Sequence, residues 1–162
     1  MNVPLKYLPK RLTKKDKKKQ AKQLKKSKAA YKKGIYIHRK PVDSYKSKKS
    51  QHILNAERIY NIKNLSVNNE LANKTGCSIN ALNKIIKKGM GAYYSSGSRP
   101  NQTPHSWGIA RLASSISGGK AAAVDYNILA EGCKSGSKAL KLAKKSRIKN
   151  GYGTRKVPKR NI

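Results

Sequence analysis

The 162-residue chain carries 39 Lys and Arg against 6 Asp and Glu, a formal charge of +33, with no Phe, one Trp and nine Tyr. So little large apolar mass excludes a big hydrophobic core, and no run approaches the ~20 apolar residues that a membrane helix needs. A charge of this size repels itself, so the chain calls for an anionic partner: nucleic acid, acidic protein or an anionic membrane surface.

The excess is uneven: residues 1–50 carry +17, residues 51–132 carry +5 and residues 133–162 carry +11. That division predicts a basic arm over 1–50, a small helical domain over 51–150 and a basic tail over 151–162. Both arms have the composition of segments that order on binding. PLKYLP (4–9) reads as an extended anchor, in which two prolines restrict the backbone while Leu5, Tyr7 and Leu8 offer apolar groups to a neighbour. Thr13 then caps a basic helix over 14–33, ended by Gly34. Its apolar residues Ala21, Leu24 and Tyr31 make only a thin stripe, which leaves the lysines as a phosphate-binding face in preference to a merely solvated one. Ile35 and Ile37 alternate as in a short strand, and the residues up to 50 form a basic linker.

From residue 51 the composition changes. QHILNAERIYNI places Ile53, Leu54, Ile59 and Ile62 at helical spacing. In NNELANKTGCSINALNKIIKKG (68–89), Ala72, Gly76 and Leu82 have the spacing of a helix-turn-helix: Ala keeps two helices close, Gly takes the turn and Leu packs beneath. If the pair reads DNA, Ser78, Asn80, Asn83 and Lys84 face base edges, while Lys74, Lys87 and Lys88 touch phosphates. An ordinary helical hairpin is the competing reading. GMGAYYSSGSRPNQTP (89–104) is rich in Gly, Ser and Pro and is predicted as a loop presenting Tyr93, Tyr94 and Arg99 to a partner.

Thr103-Pro104 starts a helix carrying Trp107, Ile109, Leu112, Ala113 and Ile116, which Gly118-Gly119 end. AAAVDYNILAEG (121–132) reads as one further helix, and Ser137 opens another with Leu140, Leu142, Ala143 and Ile148 as its apolar positions. The predicted fold is mainly α: five or six short helices around Trp107, Leu112, Val124 and Leu129, with a helix-turn-helix-like pair and extended N- and C-terminal arms.

No constellation for catalysis is legible. The carboxylates are dispersed, and Asp125 and Glu131, six residues apart, do not share a helix face. Gly118-Gly119-Lys120 lacks the first Gly and the Ser/Thr of a phosphate loop, although a helix N-terminus there could hold an anion. Cys77 and Cys133 are too few for a disulfide framework and lack ligand companions, and His38, His52 and His105 are scattered. The expectation is a non-enzyme with ordinary thiols in a reducing compartment, without metal, cofactor or small-molecule substrate.

The run GMGAYYSSGSRPNQTPHSWGIARLASSISGGKAAAVDYNILAEGCK (89–134) resembles a segment of uncharacterised Lys-rich proteins from nucleocytoplasmic large DNA viruses, including those infecting algae. Residues 7–40 and 68–89 resemble the same proteins, with 35–70 and the extreme tail looser. The resemblance implies a late virion protein, assembled in the host cytoplasm or nucleus, and carries over no catalytic residue. Two roles fit that setting, the first being the expected one and the second the alternative. One is a minor capsid or cement protein whose arms run along acidic grooves of the major capsid protein and other minor capsid proteins. The other is a DNA-binding protein of the packaged genome, or one of helix-turn-helix type.

Overall fold

Thr13, Ser50, Asn68 and Ser137 each accept a backbone N–H from the first turn of a helix, which fixes four helix starts by short polar side chains. The computed structural model describes residues 1–153 and 157–162. Eight α-helices occur among them: α1 (Lys14–Lys32), α2 (Gln51–Ile59), α3 (Asn69–Thr75), α4 (Ile79–Ser95), α5 (Pro104–Ile116), α6 (Lys120–Val124), α7 (Tyr126–Gly132) and α8 (Lys138–Asn150). Two three-residue strands, β1 (Asn2–Pro4) and β2 (Lys159–Asn161), complete a mainly α fold. The described residues fall into two units, unit 1 with 1–48, 90–107 and 157–162, and unit 2 with 49–89 and 108–153.

In unit 1, β1 and β2 pair antiparallel with Val3 opposite Arg160, and a 3-10 turn follows at Leu5–Tyr7. Val3, Tyr7, Leu8, Leu12, Leu24, Val42 and Tyr45 form its apolar cluster, with Met1, Ala21, Trp107 and Ile162 packed around it. The buried stripe of α1 is Asp16, Gln20, Leu24 and Ser27, a run at helical spacing in which only Leu24 is apolar. Its polar members act as hydrogen-bonding partners for neighbouring chain. Gln20 donates to the Tyr7 carbonyl at 3.3 Å, and Asp16 accepts from the Ser44 N–H at 2.8 Å.

The segment after α1 has no strand at Ile35–Ile37, contrary to the alternation. Its backbone groups are instead satisfied by side chains. Gln23 exchanges two hydrogen bonds with the Lys40 backbone, and Asn101 binds Val42 N–H, Val42 C=O and Tyr45 C=O. Residues 1–48 are therefore a folded part of unit 1, and the predicted arm is corrected. Of the predicted tail, residues 154–156 lie outside the described residues, and Lys159–Asn161 is extended but paired with β1.

Unit 2 buries small side chains. Ala56, Ala81, Leu82, Ile85, Ile86, Leu112, Ala113, Ile116, Ala121, Ala122, Ala123, Leu129, Ala139, Leu140 and Ala143 are all buried. Close helix approach is what makes such a core dense. A Cβ on Gly89 would lie 2.6 Å from the Gly108 Cα, so α4 and α5 touch backbone to backbone there. Gly89 is thus a packing glycine inside α4, which runs on to Ser95 through residues predicted as loop. The predicted helix over 121–132 is two helices, α6 and α7, meeting at buried Asp125. Val124 and Ile148, expected in the core, are 36% and 87% exposed, and Trp107 belongs to the unit 1 cluster.

Cys77 and Cys133 are joined in a disulfide, which corrects the reading of two ordinary thiols. They face each other as an antiparallel bridge pair, stitched by Ser78 N–H to Gly132 C=O and Lys134 N–H to Gly76 C=O, both 2.8 Å.

Candidate nucleic-acid interface

The helix pair α3–α4 in unit 2 forms where the sequence places it. Asn68 caps α3, Gly76 ends it in the left-handed region at φ 75°, and Ser78 caps α4 by accepting from the Ala81 N–H at 3.1 Å. No larger residue would fit at the turn, because a Cβ on Gly76 would meet the Ser137 Cβ at 2.6 Å. Leu82 packs beneath at full burial, as the spacing predicts.

The amphipathic pattern of α4 then decides what faces water. Ala81, Leu82, Ile85 and Ile86 are buried, while Ser78, Asn80, Asn83, Lys84 and Lys87 are exposed. Two of the residues assigned to phosphates have other partners. Lys88 donates to the Asp125 carboxylate at 3.0 Å, and Lys74 donates to the Asn61 carbonyl at 2.8 Å and pairs with Glu70 at 3.4 Å.

Asp125 is the centre of that arrangement. Arg111 donates to both of its oxygens at 3.0 and 2.8 Å, and Ser115 donates at 2.9 Å. Burial pushes the carboxyl upward, but the Arg111 hydrogen bonds and charge, with Lys88 and Ser115, outweigh it and hold the pKa below the ordinary carboxylate value. This knot ties α4, α5 and the α6–α7 junction of unit 2, and its residues are structural.

At Gly118-Gly119-Lys120 the Ala121 N–H at the start of α6 already donates to the Ser114 hydroxyl at 3.2 Å.

The other cationic surface is in unit 1. Helix α1 carries ten lysines and one carboxylate in 19 residues. That carboxylate, Asp16, turns inward. Hydrogen bonds from the Ser44 hydroxyl and N–H hold its pKa below the usual range. Among the described residues the salt bridges are Lys49–Glu57, Lys74–Glu70, Lys88–Asp125 and Arg111–Asp125, and no lysine of α1 belongs to one. The solvent face of α1 is therefore a row of positive charge without a carboxylate on it.

Of the residues predicted to dock a partner, Tyr7 and Leu8 are buried in the apolar cluster of unit 1, and Leu5 is half-buried with its N–H donating to the Pro158 carbonyl. Tyr93 is fully buried, Tyr94 is half-buried and Arg99 is exposed. The cause is α4 continuing past Gly89, which carries Tyr93 inward.

The sequence reading does not assemble the aromatic cluster of unit 1. Tyr31 and Tyr36 meet edge to face with centroids 5.9 Å apart, Tyr36 and Tyr94 at 5.1 Å, and Tyr94 and Tyr93 at 5.2 Å. His38 Nε2 and Tyr94 Oη share a hydrogen bond of 2.9 Å. Beneath them lies Arg39, 9% exposed, whose guanidinium carbon is 3.8 Å from the Tyr93 ring centroid. It donates to Ser27 Oγ, Tyr93 C=O and Ser98 Oγ, each at 2.9 Å. Burial lowers the Arg39 pKa, and no carboxylate is among these partners. The sequence singled out Tyr93 and Tyr94 of this cluster, but read IYIHRK (35–40) as a short strand from the alternation of Ile35 and Ile37.

No helix among the described residues is long and apolar enough to cross a membrane. No curated protein and no solved structure matches the chain. Residues 4–130, most of the chain, match a family of unknown function (DUF5824), and the chain belongs to that family.

Proposed function

We propose that the chain is a nucleic-acid-binding protein with two separate surfaces: in unit 1 the lysine face of α1 for the phosphate backbone, and in unit 2 the exposed face of α4 for a duplex groove. The observation that carries this reading is α1 itself: ten lysines, none in a salt bridge, with the one carboxylate of the helix turned to Ser44. A face built only to be solvated has no need to exclude carboxylates, whereas a phosphate-binding face gains from doing so through counterion release. On α4, Asn80 and Asn83 have the amide geometry that adenine edges match, and Lys84 and Lys87 supply phosphate contacts beside them. In the particle setting that the sequence resemblance implies, the polymer is the packaged genome. A minor capsid or cement protein that sets the same lysine face against acidic grooves of neighbouring capsid subunits is the second reading, and the uncompensated charge of α1 favours it equally.

The test is fluorescence anisotropy of the full chain with labelled duplex over a salt series. The affinity is expected to fall steeply with salt, and the triple variant Asn83→Ala/Lys84→Ala/Lys87→Ala to lose about tenfold or more, with a slope shallower by about 2. Absence of duplex binding at low salt overturns the reading, and an unchanged triple variant removes α4 from the interface.

A further inference from the structure

We propose that the α1 face of unit 1 is a single-strand site, in which unpaired bases stack on the aromatic surface of Tyr31, Tyr36 and Tyr94 while the phosphates lie along the lysines of α1. It rests on the nucleic-acid reading above and adds to it the class of strand bound, single-stranded, and the residues that choose it.

The first support is an exposed aromatic surface that the core does not need. Tyr36 is 64% exposed and Tyr31 37% exposed, yet both rings contact other rings in place of turning freely into water. A tyrosine left on the surface for solubility alone would not be held edge-on between two others. Here the order runs Tyr31, Tyr36, Tyr94, and Tyr94 is fixed by His38 on one side and buried Tyr93 on the other.

Rigidity is the second support. Tyr93 Oη accepts from the Arg39 N–H at 2.8 Å, its ring lies on the Arg39 guanidinium, and that guanidinium is tied to three oxygens. A buried cation among neutral acceptors is an expensive way to hold a loop. What it secures is the floor of the aromatic surface. Rings held in advance lose little freedom when a base stacks on them.

The third support is charge. Tyr31 sits three residues after Lys28 on α1, so the two are surface neighbours on the helix. Lys28 also lines a groove of about 620 Å³, in which Lys25, Ala29, Lys32 and Lys33 of α1 face Met1, Asn2 and Ile162. A basic track therefore adjoins the aromatic rings, the combination by which single strands are held with little sequence preference. A duplex cannot use it fully, since its bases are already stacked on each other and only unpaired bases offer a free face.

The test compares the full chain on an oligothymidylate of about 12 nucleotides and on a duplex of the same length, at matched salt. Tyr36→Ala is expected to weaken oligothymidylate binding roughly tenfold and to leave duplex binding within about twofold, with Tyr36→Trp restoring the single-strand affinity. Because Tyr36 lies outside the apolar cluster, Trp107 emission should be unchanged and certifies the fold. Lys25→Gln with Lys32→Gln should weaken binding to the single strand with a shallower salt slope. If Tyr36→Ala leaves both substrates unaffected, or weakens both equally, the stacking site is wrong while the nucleic-acid reading stands. If the wild-type chain binds neither substrate, the broader reading falls with it. If an oligoglutamate of equal charge binds as tightly as the oligothymidylate and loses as much with Tyr36→Ala, the surface receives acidic protein and the proposal is overturned.

Discussion

Arg39 in unit 1 sits among neutral oxygens and an aromatic ring, whereas Asp125 in unit 2 sits between two cations and a hydroxyl. With six carboxylates in the whole chain, the two interiors had different means available. Unit 2 places one carboxylate where it neutralises Arg111 and Lys88 together, and adds the Cys77–Cys133 link. Unit 1 has Asp16 and Asp43 only, with Asp16 committed to Ser44, and so disperses its buried charge over dipoles and a π face. The difference teaches how each unit of so basic a chain settles its interior: unit 2 buries Asp125 against two cations, and unit 1 buries Asp16 against Ser44 and Arg39 against neutral oxygens and a ring.

The largest effect should come from breaking the unit 2 arrangement. Asp125→Ala leaves Arg111 with no carboxylate in a mostly buried site, and should cost about 3–5 kcal/mol. Thermal melting by circular dichroism should then fall by roughly 10 °C. The pH dependence has a definite sign. Because the folded-state pKa of Asp125 lies below its ordinary 3.8, its contribution is present above that value and is lost as the pH falls through the folded pKa. Wild-type stability should drop below pH 3.8 more than that of Asp125→Ala, and parallel acid titrations of the two would refute this.

The second test removes the covalent part of the contrast. Cys77 and Cys133 are 56 residues apart, and a loop of that length implies about 4 kcal/mol from restriction of the unfolded chain. Urea melts with and without reductant should show the loss in the wild type and none in Cys77→Ser/Cys133→Ser. The smallest effect belongs to unit 1. Arg39→Met removes the charge but strands the Tyr93 carbonyl and two serine hydroxyls, for about 1–3 kcal/mol. Trp107 emission is the local readout, since that ring packs on Tyr7 at 6.0 Å in the same unit. A shift below about 0.5 kcal/mol would mean that Arg39 is replaceable by apolar packing.

What was legible in the sequence was local. Helix starts at Thr13, Ser78 and Ser137 follow from one side chain reaching back to nearby backbone N–H groups, and Gly76 marks a turn that only positive φ completes. The exposed face of α4 followed from the same spacing. What failed depends on distant partners. Gly89 read as a loop residue because glycine weakens an isolated helix, but here it admits Gly108. The stripe Leu82, Ile85, Ile86, Gly89, Tyr93 was a helical signal that the glycines hid. Unit 1 was invisible because its apolar residues are few and far apart along the chain, and its polar interior has no period to read. Tyr36 carried no signal either, since its setting is made by Tyr31 and Tyr94 from separate segments.

The Cys77–Cys133 link has one more consequence. The covalent ring it closes contains α4, α5, α6 and α7, and with them residues 90–107 of unit 1. A protease that cut after exposed Lys120, inside that ring, would leave two pieces of backbone still held as one molecule. The nicked protein would migrate as a single species on a non-reducing gel and part into two bands only when thiol is added.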